Sequence, residues 1–405
     1  MLKIYISILI LVINAFSQYQ SKIMTYNLLN YTNSSRDSYF RTIFENVNPD
    51  VLIVQEITSL SATENLLDTV LNFSSIRYNK GIFIDGPDTD NEIFFVDSLF
   101  TFISNTPILT NLRDINEFKL VYNHTIDTLR IYSAHLKAGS SPSDIQQRLE
   151  EVNILRQVTD NLPIGSNFLV VGDFNLYTST EPAYQALLNT TNSGYVLDPI
   201  DSPGDWNNNI DFAPIHTQST RTRSFGGGAT GGLDDRFDFI LASQGVLDEG
   251  DVSIIQGTYQ AYGNDGMHFN DSINQLPNTA VPAEVANALH YASDHLPVIC
   301  ELEFQESNSI VDNDKQIPSN FIVYQNYPNP FNPFTTIKFF LPKSEMVTIS
   351  IYDVRGRLVE SESNQYHQGI NAYEFNGTRF ASGIYFYQSL TSSGRMQIKK
   401  MVLQK

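Results

Sequence analysis

Two patterns of apolar and polar positions run along the chain. Short apolar blocks recur at Lys22–Leu28, Val51–Val54, Leu129–His135, Phe168–Val171, Phe237–Leu241 and Pro297–Phe304, and each predicts a strand. Between them, Arg36–Asn46, Ser143–Thr159 and Glu181–Leu188 carry helix-like spacing. Pro49 closes the turn after the first of these, and Ser143 is placed to cap the second. Strands mixed with helices over residues 18–305 predict a two-layer α/β (α+β) sandwich, with helices covering sheets.

The pattern changes after that. Glu306–Ser319 is polar, so 306–322 reads as a linker. Strand signals then recur at Thr336–Leu341, Val347–Asp353, Ala372–Phe375, Gly383–Ser389 and Arg395–Leu403, with Gly and Asn turns between them and no obvious helix. Residues 323–405 therefore predict a small all-β sandwich. At the other end, Lys3 precedes a nearly unbroken apolar run from Ile4 to Ile13, and Ala15-Phe16-Ser17 supplies small residues for a signal-peptidase site. The run is too short to span a bilayer comfortably, so 1–17 reads as a cleaved signal peptide, and no membrane span is expected after cleavage.

Charge sharpens the division. The whole chain of 405 residues carries −19. Residues 18–305 hold 14 Lys and Arg against 36 Asp and Glu, a formal −22, whereas 306–405 come to +2. A protein that gripped nucleic acid by neutralising phosphates would be basic. Phosphate chemistry in the large unit must rely on bound cations or a few local arginines. The one cysteine, Cys300, excludes an intramolecular disulfide and a cysteine-rich zinc site, and its place in VICEL reads as a buried apolar position.

The residues that carry chemistry sit mostly where a strand gives way to a loop: Asn27 in MTYNLLN, Glu56 in VLIVQE, Glu92 in DNEIFF, Arg113 in LRDINEFKL, His135 in YSAHLKAG, Asp173 and Asn175 in VVGDFN, Asp238 in DDRFDFIL, and Asp294-His295 in SDHLPV. Singly each has a plain explanation: an asparagine after a strand forms turns, a strand-end glutamate is solvated, a lone histidine is scaffold. GDFN is more telling, with two polar side chains at spacing two, and SDHLPV sets an acid beside an imidazole before an apolar strand. Asp234 and Asp235 stand close to Asp238, and Asp238 is preferred because strand alternation sets it with Arg236 on one face. The stretch SFGGGATGG reads either as a flexible site loop or as a spacer.

Taken in order over about residues 20–304, this set resembles the endonuclease/exonuclease/phosphatase superfamily, which includes DNase I-type secreted DNases, abasic-site endonucleases, neutral sphingomyelinases and inositol-polyphosphate phosphatases. The resemblance implies a DNase I-type sandwich and roles by position. Asn27, Glu56 and Asp294 match the metal site, with Glu56 the direct carboxylate ligand to Mg²⁺ or Mn²⁺, and Ca²⁺ a further hard cation of the same preference. Asp173 matches the residue that orients or deprotonates the attacking water. Asn175 and Arg113 match phosphate contacts. Asp238 matches the carboxylate that orients His295. His135 matches the histidine that protonates the leaving oxygen, with Glu92 as its orienting partner. One departure is Asp90, where the DNase I branch has tyrosine.

The C-terminal segments NYPNPFNPFTTIKFFLP, VTISIYDVRGRLV, FASGIYFYQSL and IKKMVLQK resemble the type A sorting domain of the type IX secretion system. A carbohydrate-binding or adhesive β-module is the other reading of the same strands. The resemblance implies the secretion machinery as a partner, with passage through the periplasm and outer membrane to the surface or medium. The expected function is a secreted, divalent-metal-dependent phosphoesterase, first of all a nuclease acting on nucleic acid. A phospholipid phosphodiesterase or phosphatase and a surface binding protein with a dead site are the rivals.

Overall fold

The computed structural model describes residues 18–305 and 321–405, apart from 33, 76, 126–127, 248–250, 324–325, 327–328 and 368. The chain divides into two compact units, Met1–Ser307 and Asn308–Lys405. The expected signal segment 1–17 and residues 306–320 of the expected linker lie outside the described residues.

In the first unit, one sheet runs in the order β11 (Val252–Ile254), β13 (Val298–Gln305), β1 (Gln18–Tyr31), β2 (Val51–Ile57), β4 (Asp90–Val96), β3 (Tyr78–Lys80), with β12 (Gln260–Ala261) also paired to β13. The other runs β5 (Phe100–Ile108), β6 (Ile115–Tyr122), β7 (Thr128–His135), β8 (Phe168–Asp173), β10 (Asp238–Ser243), β9 (Val196–Leu197). Their inner faces meet through Ile23, Val51, Ile53, Ile93, Leu120, Leu129, Ile131, Leu169, Val171, Ile240, Val298, Cys300 and Leu302, all buried. Each such side chain removed from water contributes about 1.5–3 kcal/mol for the larger apolar types.

Helices form further layers outside the two sheets. Among α1 (Asp37–Val47), α2 (Leu60–Asn65), α3 (Pro142–Thr159), α4 (Pro182–Leu188), α5 (Gln244–Leu247) and α6 (Ala283–Ala292), α1 and α6 pack on the first sheet through Phe40, Ile43, Val285 and Leu289. Helices α3 and α4 pack on the second through Val152, Leu155, Ala183 and Leu187. The cap of α3 is Ser141 rather than Ser143. Ser141 and Asp144 form a reciprocal capping box with Pro142 at the first turn, so the helix begins earlier than its apolar spacing shows.

The second unit pairs β14 (Ile322–Val323), β15 (Phe334–Leu341) and β18 (Gly369–Asn376) in one sheet, and β17 (Leu358–Tyr366), β16 (Glu345–Asp353), β19 (Gly383–Thr391) and β20 (Met396–Leu403) in another. Phe339, Val347, Ile349, Ile351, Tyr387, Met401 and Leu403 belong to its core. Strand β17 escaped the sequence reading because LVESESNQY is almost wholly exposed and shows no alternation. Among the described residues, no helix is long and apolar enough to cross a membrane.

Candidate active site

The topology sets two parallel pairs with their C-terminal ends at one rim. Strands β1 and β2 run parallel, ending near Asn27 and Glu56, and β7 and β8 run parallel, with His135 directly opposite Asp173. The antiparallel β10 sets Asp238 opposite Asp173. Two local devices aim these groups. A register irregularity between Val54 and Ile57 coincides with Glu56 at φ 58°, a left-handed backbone unusual for glutamate, which re-aims its carboxylate at the rim. Gly172, at φ 125°, lets β7 and β8 approach, since a Cβ there would stand 2.1 Å from the Ala134 carbonyl oxygen. This is the physical reason for the glycine in GDFN.

At the rim, Asn27 Nδ2 donates to Glu56 Oε1 and to Asp173 Oδ2, 3.0 Å each. Glu56 Oε2 accepts from the Asn30 amide at 2.8 Å. Asp173 Oδ2 lies 3.5 Å from His135 Nε2 and 3.6 Å from His295 Nε2, so one carboxylate oxygen stands between two imidazoles. His135 Nε2 is 3.8 Å from Glu56 Oε1. The Asn175 amide N–H donates to Asp173 Oδ1 at 3.0 Å, and its side chain donates to Leu136 O at 3.2 Å. Beneath them the Gln55 amide donates to Thr25 Oγ1 and Ser133 Oγ, a polar floor between the sheets that Ser133 extends to Asn91.

Of the three neighbouring aspartates, Asp238 is the one that meets His295, with Oδ2 2.7 Å from Nδ1. The shared face expected with Arg236 does not exist. Arg236 precedes β10 and turns its guanidinium onto Asp198, at 2.7 and 2.9 Å. Asp294 points to the glycine-rich stretch: Oδ2 accepts from the Ala229 amide at 2.5 Å, and Oδ1 is buried without a partner. A Cβ on Gly228 would stand 2.7 Å from that carboxylate, so the stretch packs against the site at this glycine, while Gly226, Gly227 and Gly231 have open space around them.

One expectation is corrected. Glu92 does not orient His135. It shares parity on β4 with Phe94 and Val96, which face the helices, whereas Ile93 and Phe95 face the other sheet. Glu92 Oε1 accepts from the Ile93 amide, Glu92 Oε2 has no partner, and neither does His135 Nδ1. Burial, then Arg113, then His295 hold His135 well below the usual imidazole range. Burial opposes charge on His295, but Asp238, Asp173 and the hydrogen bond to Asp238 outweigh it and keep that ring well above the usual range. Asp173 is raised by burial, with Asp238 and Glu56 adding to the rise against the pull of His295. Arg113 reaches His135 by its field while its Nε pairs with Asp88 at 2.9 Å.

Glu92 supplies a pH test. Burial lifts its carboxyl from 4.5 to about 7. The unfolded chain ionises this group first, so its stabilising contribution is complete below pH 4.5 and is lost as pH rises through about 7, up to roughly 3 kcal/mol in all. Glu92→Gln should therefore match wild type in urea unfolding near pH 4.5 and exceed it at pH 8. Equal midpoints at both pH values would show that Glu92 is not a buried neutral acid.

The sequence reading missed Gln218, whose side-chain nitrogen lies 2.6 Å from His295 Nε2. It also missed Thr217, whose Oγ1 accepts from the Phe237 and Asp238 amides at 3.1 Å each, and Ser293, whose hydroxyl donates to Asn27 O at 2.6 Å. Nothing in HTQST signals these roles, since Gln218 and His295 lie 77 residues apart and meet only in the fold.

Residues 24–295 match the model of the Endonuclease/Exonuclease/phosphatase family. The chain belongs to that family. Residues 325–404 match the secretion system C-terminal sorting domain, which marks the protein for secretion or the cell surface. Similar solved structures include D. rerio TDP2 complexed with single strand DNA product, 15% identical over 70% of this chain and 98% of that one, with a TM-score of 0.48. The human Nocturnin catalytic domain with bound sulfate anion is 16% identical over 71% and 97%, TM-score 0.46. A family protein from Bacteroides thetaiotaomicron is 16% identical over 71% and 99%, TM-score 0.46. No curated protein matches this chain. Family membership makes this a hydrolase fold of the phosphoesterase type.

Proposed function

We propose that the first unit is a divalent-metal-dependent phosphodiester hydrolase, and specifically an extracellular nuclease. The observation that carries this is Asp173 Oδ2 standing 3.5 and 3.6 Å from two imidazoles, one of them bonded to Asp238 at 2.7 Å. Hydrolysing a diester needs a base for the water, positive charge toward the phosphate and a proton for the leaving alkoxide. Asp173, raised in proton affinity, takes the proton of the attacking water. His295, kept charged by Asp238, faces the phosphate with Nε2–H and supplies the proton to the leaving oxygen. Neutral His135 orients the water, Asn175 steadies a phosphate oxygen, and Arg113 adds positive charge beside His135.

The residues fit a hard cation. Glu56 offers a carboxylate at the rim beside Asn27, and Asp294 Oδ1 is a buried anionic oxygen without a partner. Asp173, Asp238 and His295 also bring one possible ligand atom each within 4.8 Å of one another, but both nitrogens of His295 are already engaged. Glu56, as the direct carboxylate, with Asn27 and Asp294 are the proposed ligands of Mg²⁺ or Mn²⁺. When bound, the cation would neutralise charge on a non-bridging phosphate oxygen.

The deciding assay incubates the purified protein with plasmid DNA, oligonucleotides, sphingomyelin and inositol phosphates, with and without Mg²⁺. Cleavage of nucleic acid is expected. Turnover of lipid alone would move the substrate class and keep the chemistry. With −22 on the first unit, nucleic-acid affinity should fall less steeply with salt than for a basic-surface nuclease.

Export is proposed to follow the type IX route, through the periplasm and across the outer membrane. Every candidate residue precedes 306, so deleting 320–405 should leave the hydrolytic rate per mole unchanged while the protein accumulates in the periplasm. Fusing 306–405 to an unrelated signal-bearing protein should carry it to the surface or medium. Normal export of the truncated chain would remove the assignment.

A further inference from the structure

Gln218 lies outside every sequence motif, yet its side chain ends on the ring nitrogen of His295 left over once Asp238 takes Nδ1. The two contacts are 2.6 Å at Nε2 and 2.7 Å at Nδ1. The backbone holds Gln218 from one flank: its amide donates to Asp235 O at 3.1 Å, and its carbonyl accepts from the Asp234 and Asp235 amides at 2.8 and 2.9 Å. Its neighbours tie to the other flank, where the Leu296 amide donates to Thr217 O at 2.7 Å and the Thr220 amide to Asp294 O at 3.1 Å. Thr217 also anchors the start of β10 through its hydroxyl. One short segment thus sets Asp238 and Gln218 against opposite edges of the same imidazole.

A ring bonded at Nδ1 alone can rock about that bond, and a second bond at Nε2 fixes its plane. A glutamine suits this task because its donor and acceptor ends are a half-turn apart. It can donate to the lone pair of a neutral ring or, turned over, accept from the N–H of a charged one. We infer that Gln218 is a positioning residue for the hydrolytic reaction: its contact at Nε2 holds the plane of His295 before substrate arrives, and it gives way there to the leaving oxygen. This rests on the proposal that His295 serves phosphodiester hydrolysis.

The test uses the full-length secreted protein, Mg²⁺ and a defined oligonucleotide, whose alkoxide leaving group needs a proton. Gln218→Met keeps the length of the side chain and loses its hydrogen bonds. Gln218→Glu keeps the acceptor and loses the donor. A misaimed reacting group costs up to about 10²-fold, so Gln218→Met should lower kcat by about tenfold or more with KM within about twofold. Gln218→Glu should recover most of kcat and raise KM, because a further carboxylate faces the phosphate. A structural glutamine would instead lower melting temperature in both variants without this split. In parallel, ¹⁵N NMR of the labelled imidazoles reads the Nε2 hydrogen bond without turnover, with the His295 signals assigned by their loss in His295→Asn. The Nε2 resonance should move in Gln218→Met. An unmoved Nε2 resonance, or unchanged kcat in Gln218→Met, overturns the inference. A wild-type protein that hydrolyses nothing sinks the hydrolytic reading and leaves the NMR result to decide Gln218.

Discussion

Replacing His295 by alanine should lower kcat by about 10²–10⁴-fold, the usual contribution of a positioned acid–base group. The ring is buried, bonded to Asp238 at 2.7 Å, and 3.6 Å from Asp173, so its loss removes the one cationic imidazole of the centre. Asp238→Asn should cost much of the same factor while preserving shape, because the carboxylate sustains the charge on the ring. The double variant should be little worse than His295→Ala alone, since the two act as one device. His135→Ala should fall less far, as no carboxylate holds the Nδ1 of that ring. The measurement is single-turnover rate on a defined oligonucleotide. A His295→Ala protein within a few-fold of wild type would show that the ring is scaffold.

Chelation should abolish turnover, and readdition of Mg²⁺ or Mn²⁺ should restore it. Glu56→Gln should raise the metal concentration for half-maximal rate by about ten- to a hundredfold, because a hard cation loses an anionic oxygen. The substitution keeps the length of the side chain and one of the two acceptors, so either the Asn27 side chain or the Asn30 amide loses its partner. Metal titrations of both proteins read the shift. Full activity in excess EDTA would sink the whole chemical reading.

Most of the residues that meet at the rim were legible in the sequence because they lie in short local patterns. GDFN and SDHLPV each combine a strand end with polar side chains, and folding only had to bring the two together. The sheets were less visible. Strand β4 is buried along its entire length, so DNEIFFV offers no alternation, and its polar residues Asp90, Asn91 and Glu92 obscure it further. Helix α6 has no side-chain cap and begins after Pro282, so AEVANALHYA gives no start signal beyond the proline. The Glu92–His135 pairing failed for a parity reason: order along the chain says which strand carries an acid, not which face it takes. Gln218 was invisible because its partners come from chain segments remote in sequence.

The rim is shared between two sheets. Asn27 and Glu56 come from the first, while His135, Asp173 and Asp238 come from the second. Neither sheet alone carries a proton relay and a cation site together. On the proposed chemistry turnover requires the docked pair, so a chain with native secondary structure but unpacked sheets would be inactive, and recovery of activity on refolding would report the packing of one sheet on the other.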